Sequence, residues 1–209
     1  MALYKTTEKS GDKSQGPSFP PGRVKIAEAL RLLLEKKEFG AITVAEIAKT
    51  AGITEALIYK YFEDKRHLLH QILAEDMLDF IEQVEFEQKG IKGSLNKLRK
   101  FIWSSINRYC THHVFAKVLL LEVRNYPGYF KSETYQLSRR YSKILLDILE
   151  EGVKNGEICE DIPPPLLRRV ILGSIEYLCF PRVIFNREIS PDVLTEDLCK
   201  IVFVGIEKR

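Results

Sequence analysis

Thr43 to Lys65 reads TVAEIAKTAGITEALIYKYFEDK. Two short helical patterns flank Ala51-Gly52-Ile53, too close together for anything but a tight helix-turn-helix. Thr43 and Glu46 form a capping box: the Thr43 hydroxyl accepts from the Glu46 amide while the Glu46 carboxylate reaches back. Val44, Ile47 and Ala48 give the first helix its buried face, and Gly52 supplies the backbone freedom for a sharp turn. Thr54 can cap the second helix, whose buried side is Leu57 or Ile58 together with Tyr61 or Phe62. Asp64 can cap a further helix that runs through Leu69, Ile72, Leu73, Met77, Phe80 and Val84 to about Glu87.

Outward from this stretch the chain is helical on both sides. Towards the front, Ile26, Ala27, Leu30, Leu33 and Leu34 recur at helical spacing from Arg23 onward, and Phe39-Gly40 ends that pattern. Residues 1–21 carry Lys, Ser, Gly and three prolines with few large apolars, which reads as a mobile tail. Towards the back, two glycines in Gln88 to Gly93 mark a boundary. Leu95, Leu98, Ile102 and Ile106 mark the next helix. Val114 to Val123 is nearly all apolar and reads as buried all round. After Tyr126-Pro127-Gly128 a long amphipathic helix runs through Tyr141, Ile144, Leu145, Ile148, Leu149 and Val153, and Asn155-Gly156 stops it. Pro163-Pro164-Pro165 leads into a helix through Leu167, Ile171, Ser174 and Leu178, with Pro181 expected to kink it. Ser190-Pro191 opens the last helix. The expectation is an all-α chain in three parts: a tail over 1–21, a helix-turn-helix domain with its connecting helix over 22–87, and a larger helical domain over 88–209.

Composition narrows the function classes. At 209 residues and 45% hydrophobic, the chain can bury a substantial core. The net charge of +3 is unevenly spread. Residues 26–87 hold seven Lys/Arg against thirteen Asp/Glu, whereas residues 88–209 hold twenty against fourteen. The helix-turn-helix part is therefore acidic in bulk, against the crude criterion for nucleic-acid binding, and what favours such binding is local: the basic arm at the front, and Lys49, Lys60, Lys65 and Arg66 near the motif. The basic surplus of the back part suits an anionic effector or is simply a solvated surface. The four cysteines have no CxxC spacing, the start has no apolar signal core, and no apolar run approaches a membrane span, so a cytoplasmic protein with free thiols is expected.

The string Ala51-Gly52-Ile53-Thr54, then Tyr59-Lys60-Tyr61-Phe62, then Lys65 and Leu68-Leu69, preceded by Thr43-Val44 and Glu46-Ile47-Ala48, resembles the tetracycline-repressor-like (TetR) family of bacterial regulators. The resemblance covers roughly residues 23–72 and rests on many positions at fixed spacing. It implies a three-helix DNA-binding unit joined by a fourth helix to a helical ligand-binding and dimerisation domain. Carried over by position, Thr54 to Lys60 is the recognition helix, with Glu55, Ala56 and Leu57 at its front, and Thr43, Tyr59 and Lys65 meet phosphates. Physics agrees that a short helix fits the major groove and that helix N-termini attract phosphate. The chain departs from the family pattern at Glu38, where glycine often ends the first helix, at Leu57, and at Glu55. Leu57 can meet a thymine methyl. Glu55 either repels phosphate or accepts from a cytosine amine.

The reading that follows is a homodimeric transcriptional regulator, a repressor released from a palindromic operator in double-stranded DNA by a small, largely apolar effector. Recognition helices would then meet successive major grooves about 34 Å apart. The expected dimer interface is Val170, Gly173 and Tyr177 on one helix with Leu194, Leu198, Ile201 and Gly205 on the next, apolar rows with small residues. The expected effector site is Trp103, Ile106, Asn107, Leu119, Val123, Tyr141, Leu145, Ile171, Ser174 and Leu178, apolar with a few polar anchors. A loose similarity of Leu120–Glu151 and Leu172–Leu178 to fatty-acid-responsive members suggests a fatty-acyl effector. No cofactor, metal site or enzymatic activity is expected: His112-His113 point about 100° apart on a helix, and neither a phosphate loop nor a catalytic triad spacing is present. The rival reading is a helical small-molecule-binding or adaptor protein that no longer binds DNA.

Overall fold

The computed structural model describes residues 19–206 of the chain. Residues 1–18 of the tail read as mobile lie outside the described residues. The fold is all-α. Among the described residues nine α-helices follow in order: α1 Pro21–Leu34, α2 Val44–Ala51, α3 Glu55–Tyr61, α4 Lys65–Glu87, α5 Ser94–Thr111, α6 His113–Val118, α7 Glu133–Lys154, α8 Pro164–Phe185 and α9 Pro191–Ile206. α1 begins two residues before the sequence pattern does, because Pro21 sits at its first turn, where a missing amide costs nothing.

The caps that frame the helix-turn-helix are formed as the residue types dictate. Glu46 N donates to Thr43 Oγ1 at 3.2 Å and Thr43 N donates to Glu46 Oε2 at 3.0 Å. Lys37 pairs with the same Glu46 carboxylate and holds its pKa below the ordinary value. Gly52 takes φ +66°, and Ile53 N donates back to Ala48 O at 3.0 Å, closing α2 with a left-handed cap. Asp64 caps α4 by accepting from His67 N at 2.6 Å. Thr54 stands at the N-cap of α3 but its side chain makes no capping bond, which leaves that hydroxyl pointing outward.

Two hydrophobic cores form. The first gathers Ile26 and Leu30 of α1, Ile47 of α2, Ile58 of α3 with Phe62 at its C-cap, and Leu68, Leu69, Ile72 and Leu73 of α4. It settles the open choice on α3: Ile58 and Phe62 are buried, while Leu57 and Tyr61 are half-buried against Gly22. The second core runs from Val84 through Leu98, Phe101, Ile102 and Ile106 of α5 to Leu145 and Leu149 of α7, Ile171 and Ile175 of α8, and Leu198 and Val202 of α9. α4 belongs to both cores.

The segment after α5 departs from expectation. Of Val114 to Val123 only Val118 and Val123 are buried, and Leu121 is exposed. α6 is followed by one π-helical turn over Leu119–Val123, closed by Arg124 N donating to Leu119 O. Val118, Val123 and Tyr129 pack into the first core, with the helix-turn-helix, and the opposite face of the segment lines a cavity. The apolar run is therefore apolar for two different neighbours. α8 continues through Pro181 to Phe185, ending at Asn186 with φ 51°.

Candidate functional site

The exposed face of α3 carries Glu55, Ala56, Tyr59 and Lys60, with Thr54 at its cap. All five point away from the first core. Tyr59 is 54% exposed although aromatic, so its ring is not used for packing. Ile58 on the inner side of α3 and Phe62 at its C-cap are buried in the first core with α1 and α4, which leaves this face outward, and Thr43 at the α2 N-terminus is exposed as well. Leu57 turns partly inward, its Cδ2 lying close to Gly22, and so offers less to a thymine methyl than expected.

Lys65 is placed differently from a simple phosphate anchor. Its Nζ donates to Phe39 O at 3.0 Å and to Ile42 O at 2.5 Å and lies 4.4 Å from the Phe39 ring centroid. Burial lowers its pKa. Two of its three N–H groups therefore pin the turn ahead of α2, leaving one for a phosphate. Arg66 likewise stacks over Tyr126 at 4.8 Å. Arg23 pairs with Glu75 and donates to Gln71 Oε1 at 2.9 Å, tying α1 to α4. Much of the positive charge near the motif is thus engaged within the protein.

A cavity of about 180 Å³ lies between α4, α5, α6 with its π turn, α7 and α8. Leu73, Met77, Phe80 and Ile81 of α4, Leu119 and Leu120 of the π turn, and Leu172 and Ile175 of α8 give it apolar walls. Polar groups enter from several of the helices. Arg108 of α5 pairs with the Asp76 carboxylate of α4 and donates to Asp76 O at 2.9 Å. His112 Nδ1 lies 3.4 Å from Asp76 Oδ1, and burial followed by the neighbouring Arg108 pushes the imidazole below its ordinary pKa against the pull of Asp76. Across the cavity, Arg124 Nη1 donates to Glu176 Oε2 at 2.7 Å. Ser105 donates to Phe101 O, so the Tyr141 hydroxyl must donate to Ser105 Oγ. Tyr141 also stacks on Phe101 at 5.0 Å. Burial raises the pKa of both Tyr109 and Tyr141, keeping the phenols neutral.

Of the ten residues expected at the effector site, the cavity brings together Leu119 and Tyr141. Ile106, Val123, Leu145 and Ile171 are fully buried in the cores. Trp103 faces α9, its Nε1 donating to Asp192 Oδ1 at 2.7 Å. Asn107, Ser174 and Leu178 do not line the cavity. On α5 the cavity face is Ser105, Arg108, Tyr109 and His112, a stripe beside the apolar one. The apolar stripe is consumed by core packing; the residues left for a ligand are those a core would reject. Asp76, set among Leu73, Met77 and Phe80, and Glu176, set beside Leu172 and Ile175, are charges interrupting apolar stripes. That interruption was the available signal.

On α8 and α9 the expected interface is partly exposed. Val170, Gly173 and Tyr177 face outward, with Leu166 extending the row. On α9, Ile201 and Val204 are 75% and 70% exposed and Gly205 is open beside them. Leu198 is instead buried in the second core and Leu194 is half-buried against it. The outward row of α9 is therefore Ile201, Val204 and Gly205, one step around the helix from the row expected.

Residues 26–72 match the family described as bacterial regulatory proteins of the tetR family, and residues 92–179 match the tetracyclin repressor-like C-terminal domain. The fatty acid metabolism regulator protein of Bacillus subtilis is 27% identical over 189 residues, 90% of this chain and 97% of that protein. The structure of the transcriptional regulator FadR from Bacillus subtilis in complex with stearoyl-CoA superposes with a TM-score of 0.78 at 27% identity, over 88% of this chain and 99% of the other. The fatty acid degradation regulator FadR from Bacillus halodurans gives 0.79 at 21% identity, over 94% and 100%.

Proposed function

Because the chain belongs to the TetR family of bacterial regulators, we propose a specific division of labour within a ligand-responsive, DNA-binding transcriptional regulator that acts as a homodimer. Residues 22–87 hold the operator; residues 88–209 hold the partner subunit and, with α4 as one wall of the cavity, the effector. The operator contacts are Thr43, Thr54, Glu55, Ala56, Tyr59 and Lys60, with one N–H of Lys65 added at a phosphate. The exposed rows on α8 and α9 form a four-helix bundle across the two-fold. The protein works in the cytoplasm and catalyses no reaction. No helix among the described residues is long and apolar enough to cross a membrane.

The effector is an acyl thioester whose chain enters the cavity. The observation that carries this reading is that α4, whose first turns belong to the helix-turn-helix core, also forms a wall of the cavity. The apolar walls suit a hydrocarbon chain, and a 27% identical relative is described with stearoyl-CoA. A volume of about 180 Å³ is little more than the ~150 Å³ known to hold one benzene. A chain longer than about six carbons must therefore push the walls apart. The movable walls are α4, held to α5 by the Arg108–Asp76 pair, and α6 with its π turn, packed on the first core through Val118 and Val123. Separating them turns the two recognition helices away from successive grooves, and the shift is as large as the difference in ligand affinity between the two states.

Fluorescence anisotropy on the chain's own upstream duplex tests both halves. Nanomolar to micromolar binding is expected, with release by acyl-CoA that strengthens from butyryl to decanoyl. No binding to that duplex or to a randomised library at low salt refutes the DNA half. Binding that is indifferent to every acyl-CoA refutes the effector half.

A further inference from the structure

A groove of about 840 Å³ on the outer side of α7 adjoins the N-terminal turns of α8. Four cations line it: Arg139, Arg140 and Lys143 of α7 and Arg168 of α8. Arg140 pairs with Glu85 and Lys143 with Asp147. Arg139 and Arg168 have no carboxylate partner among the described residues. The groove thus keeps two uncompensated guanidinium groups, the side chains best suited to bidentate recognition of phosphate.

The groove and the apolar cavity share Ser138 and Ser142 as lining residues. α8 connects the same two places. Arg168, Leu172 and Glu176 recur at four-residue spacing on one face, Arg168 at the groove and the other two at the cavity. A small apolar chamber therefore abuts a larger basic trough, with two small hydroxyl side chains between them. A surface polyanion such as DNA or a lipid headgroup needs only the trough; the shared serines fit one molecule that spans both.

We propose that the groove is the subsite for the phosphate-bearing head of the effector, with Arg139 and Arg168 binding the phosphates of a coenzyme A thioester and Ser138 and Ser142 flanking the passage of its pantetheine arm. This rests on the acyl-thioester reading above and assigns its polar half. The charge on the ligand is then met outside the cavity, so the internal pairs Arg108–Asp76 and Arg124–Glu176 need not be broken to bind it.

Calorimetric titration of wild type, Arg139→Gln, Arg168→Gln and the double variant separates the two readings. The probes are octanoyl-CoA and octanoyl-N-acetylcysteamine, the same thioester without phosphates. Each substitution is expected to weaken octanoyl-CoA by about tenfold or more and to flatten its salt dependence, while leaving the N-acetylcysteamine thioester unchanged. A double variant that binds octanoyl-CoA as tightly as wild type, with the same salt dependence, overturns the groove assignment and leaves the cavity reading standing. The same holds if wild type binds the two probes equally well. Wild type that binds neither thioester overturns the effector reading, and this assignment with it.

Discussion

Replacing Lys65 by methionine separates two roles that the sequence merges. Read by position, Lys65 is a phosphate anchor, and its loss should lower affinity for all DNA sequences and reduce the salt slope by about one. In the fold its ammonium sits on Phe39 O and Ile42 O and over the Phe39 ring. Methionine keeps most of the apolar stem and removes the three interactions. A hydrogen bond from a charged donor is worth about 1.5–3 kcal/mol net, and an exposed cation–π contact about 0.5–1 kcal/mol. Phe39 O keeps a second bond, from Ile42 N at 3.2 Å, and water reaches part of this half-buried site. The sum is about 3.5–7 kcal/mol, and the second bond and the water place the expected loss just below its low end, at about 3 kcal/mol. For a chain of this length that corresponds to a fall in Tm of roughly 6–12 °C. Thermal unfolding of the ligand-free protein measures it, alongside operator binding at several salt concentrations. A Tm within a degree or two of wild type, together with a salt slope reduced by a full unit, would refute the clamp and restore the simple anchor.

Three further outcomes follow from single contacts. Gly152→Ala places a Cβ 2.5 Å from Ile158 Cδ1 and 3.0 Å from Ser94 Cβ; such overpacking should cost about 1–3 kcal/mol, read from the urea midpoint at unchanged m-value. Tyr177→Glu puts a charge in the centre of the exposed α8 row, where Tyr177 is 79% exposed in one subunit; sedimentation should show a monomer at micromolar concentration, with operator binding weakened at least tenfold by loss of the second half-site. Tyr141, half-buried at the cavity wall, has its folded-state pKa raised by desolvation above the ordinary ~10. The stability it contributes as a neutral phenol is fully present below pH ~10 and is lost as pH rises beyond it. Tyr141→Phe should flatten that alkaline loss in a pH series of unfolding measurements, and an identical alkaline profile would count against the desolvated phenol.

The order of the helices, the capping box at Thr43 and Glu46, the left-handed turn at Gly52 and the cap at Asp64 were all legible in the chain. Each depends on residues within a few positions of one another, and the physics of a helix end is local. The outward face of α3 was nearly as legible: removing Ile58 and Phe62, which an amphipathic helix must bury, leaves Glu55, Ala56, Tyr59 and Lys60 for a partner. Periodicity alone could not choose between adjacent rows on the longer helices, because a helix in the middle of a bundle has more than one apolar neighbour. Leu198 satisfied the spacing of a dimer face and is core. Ile106 and Leu145 satisfied the spacing of a pocket and are core as well.

Only the tertiary structure decided what each helix faces. It turned Lys65 inward onto two carbonyl groups, split the apolar run after α5 between the first core and a cavity, and set Arg108 against Asp76 from another helix, 32 positions away. These are contacts between residues distant in sequence, and no local rule of capping or periodicity encodes their partners. The chain by itself determined which segments are helices and which family of regulators they build; the packing of those helices determined which of their residues remain for DNA, for a ligand and for a second subunit.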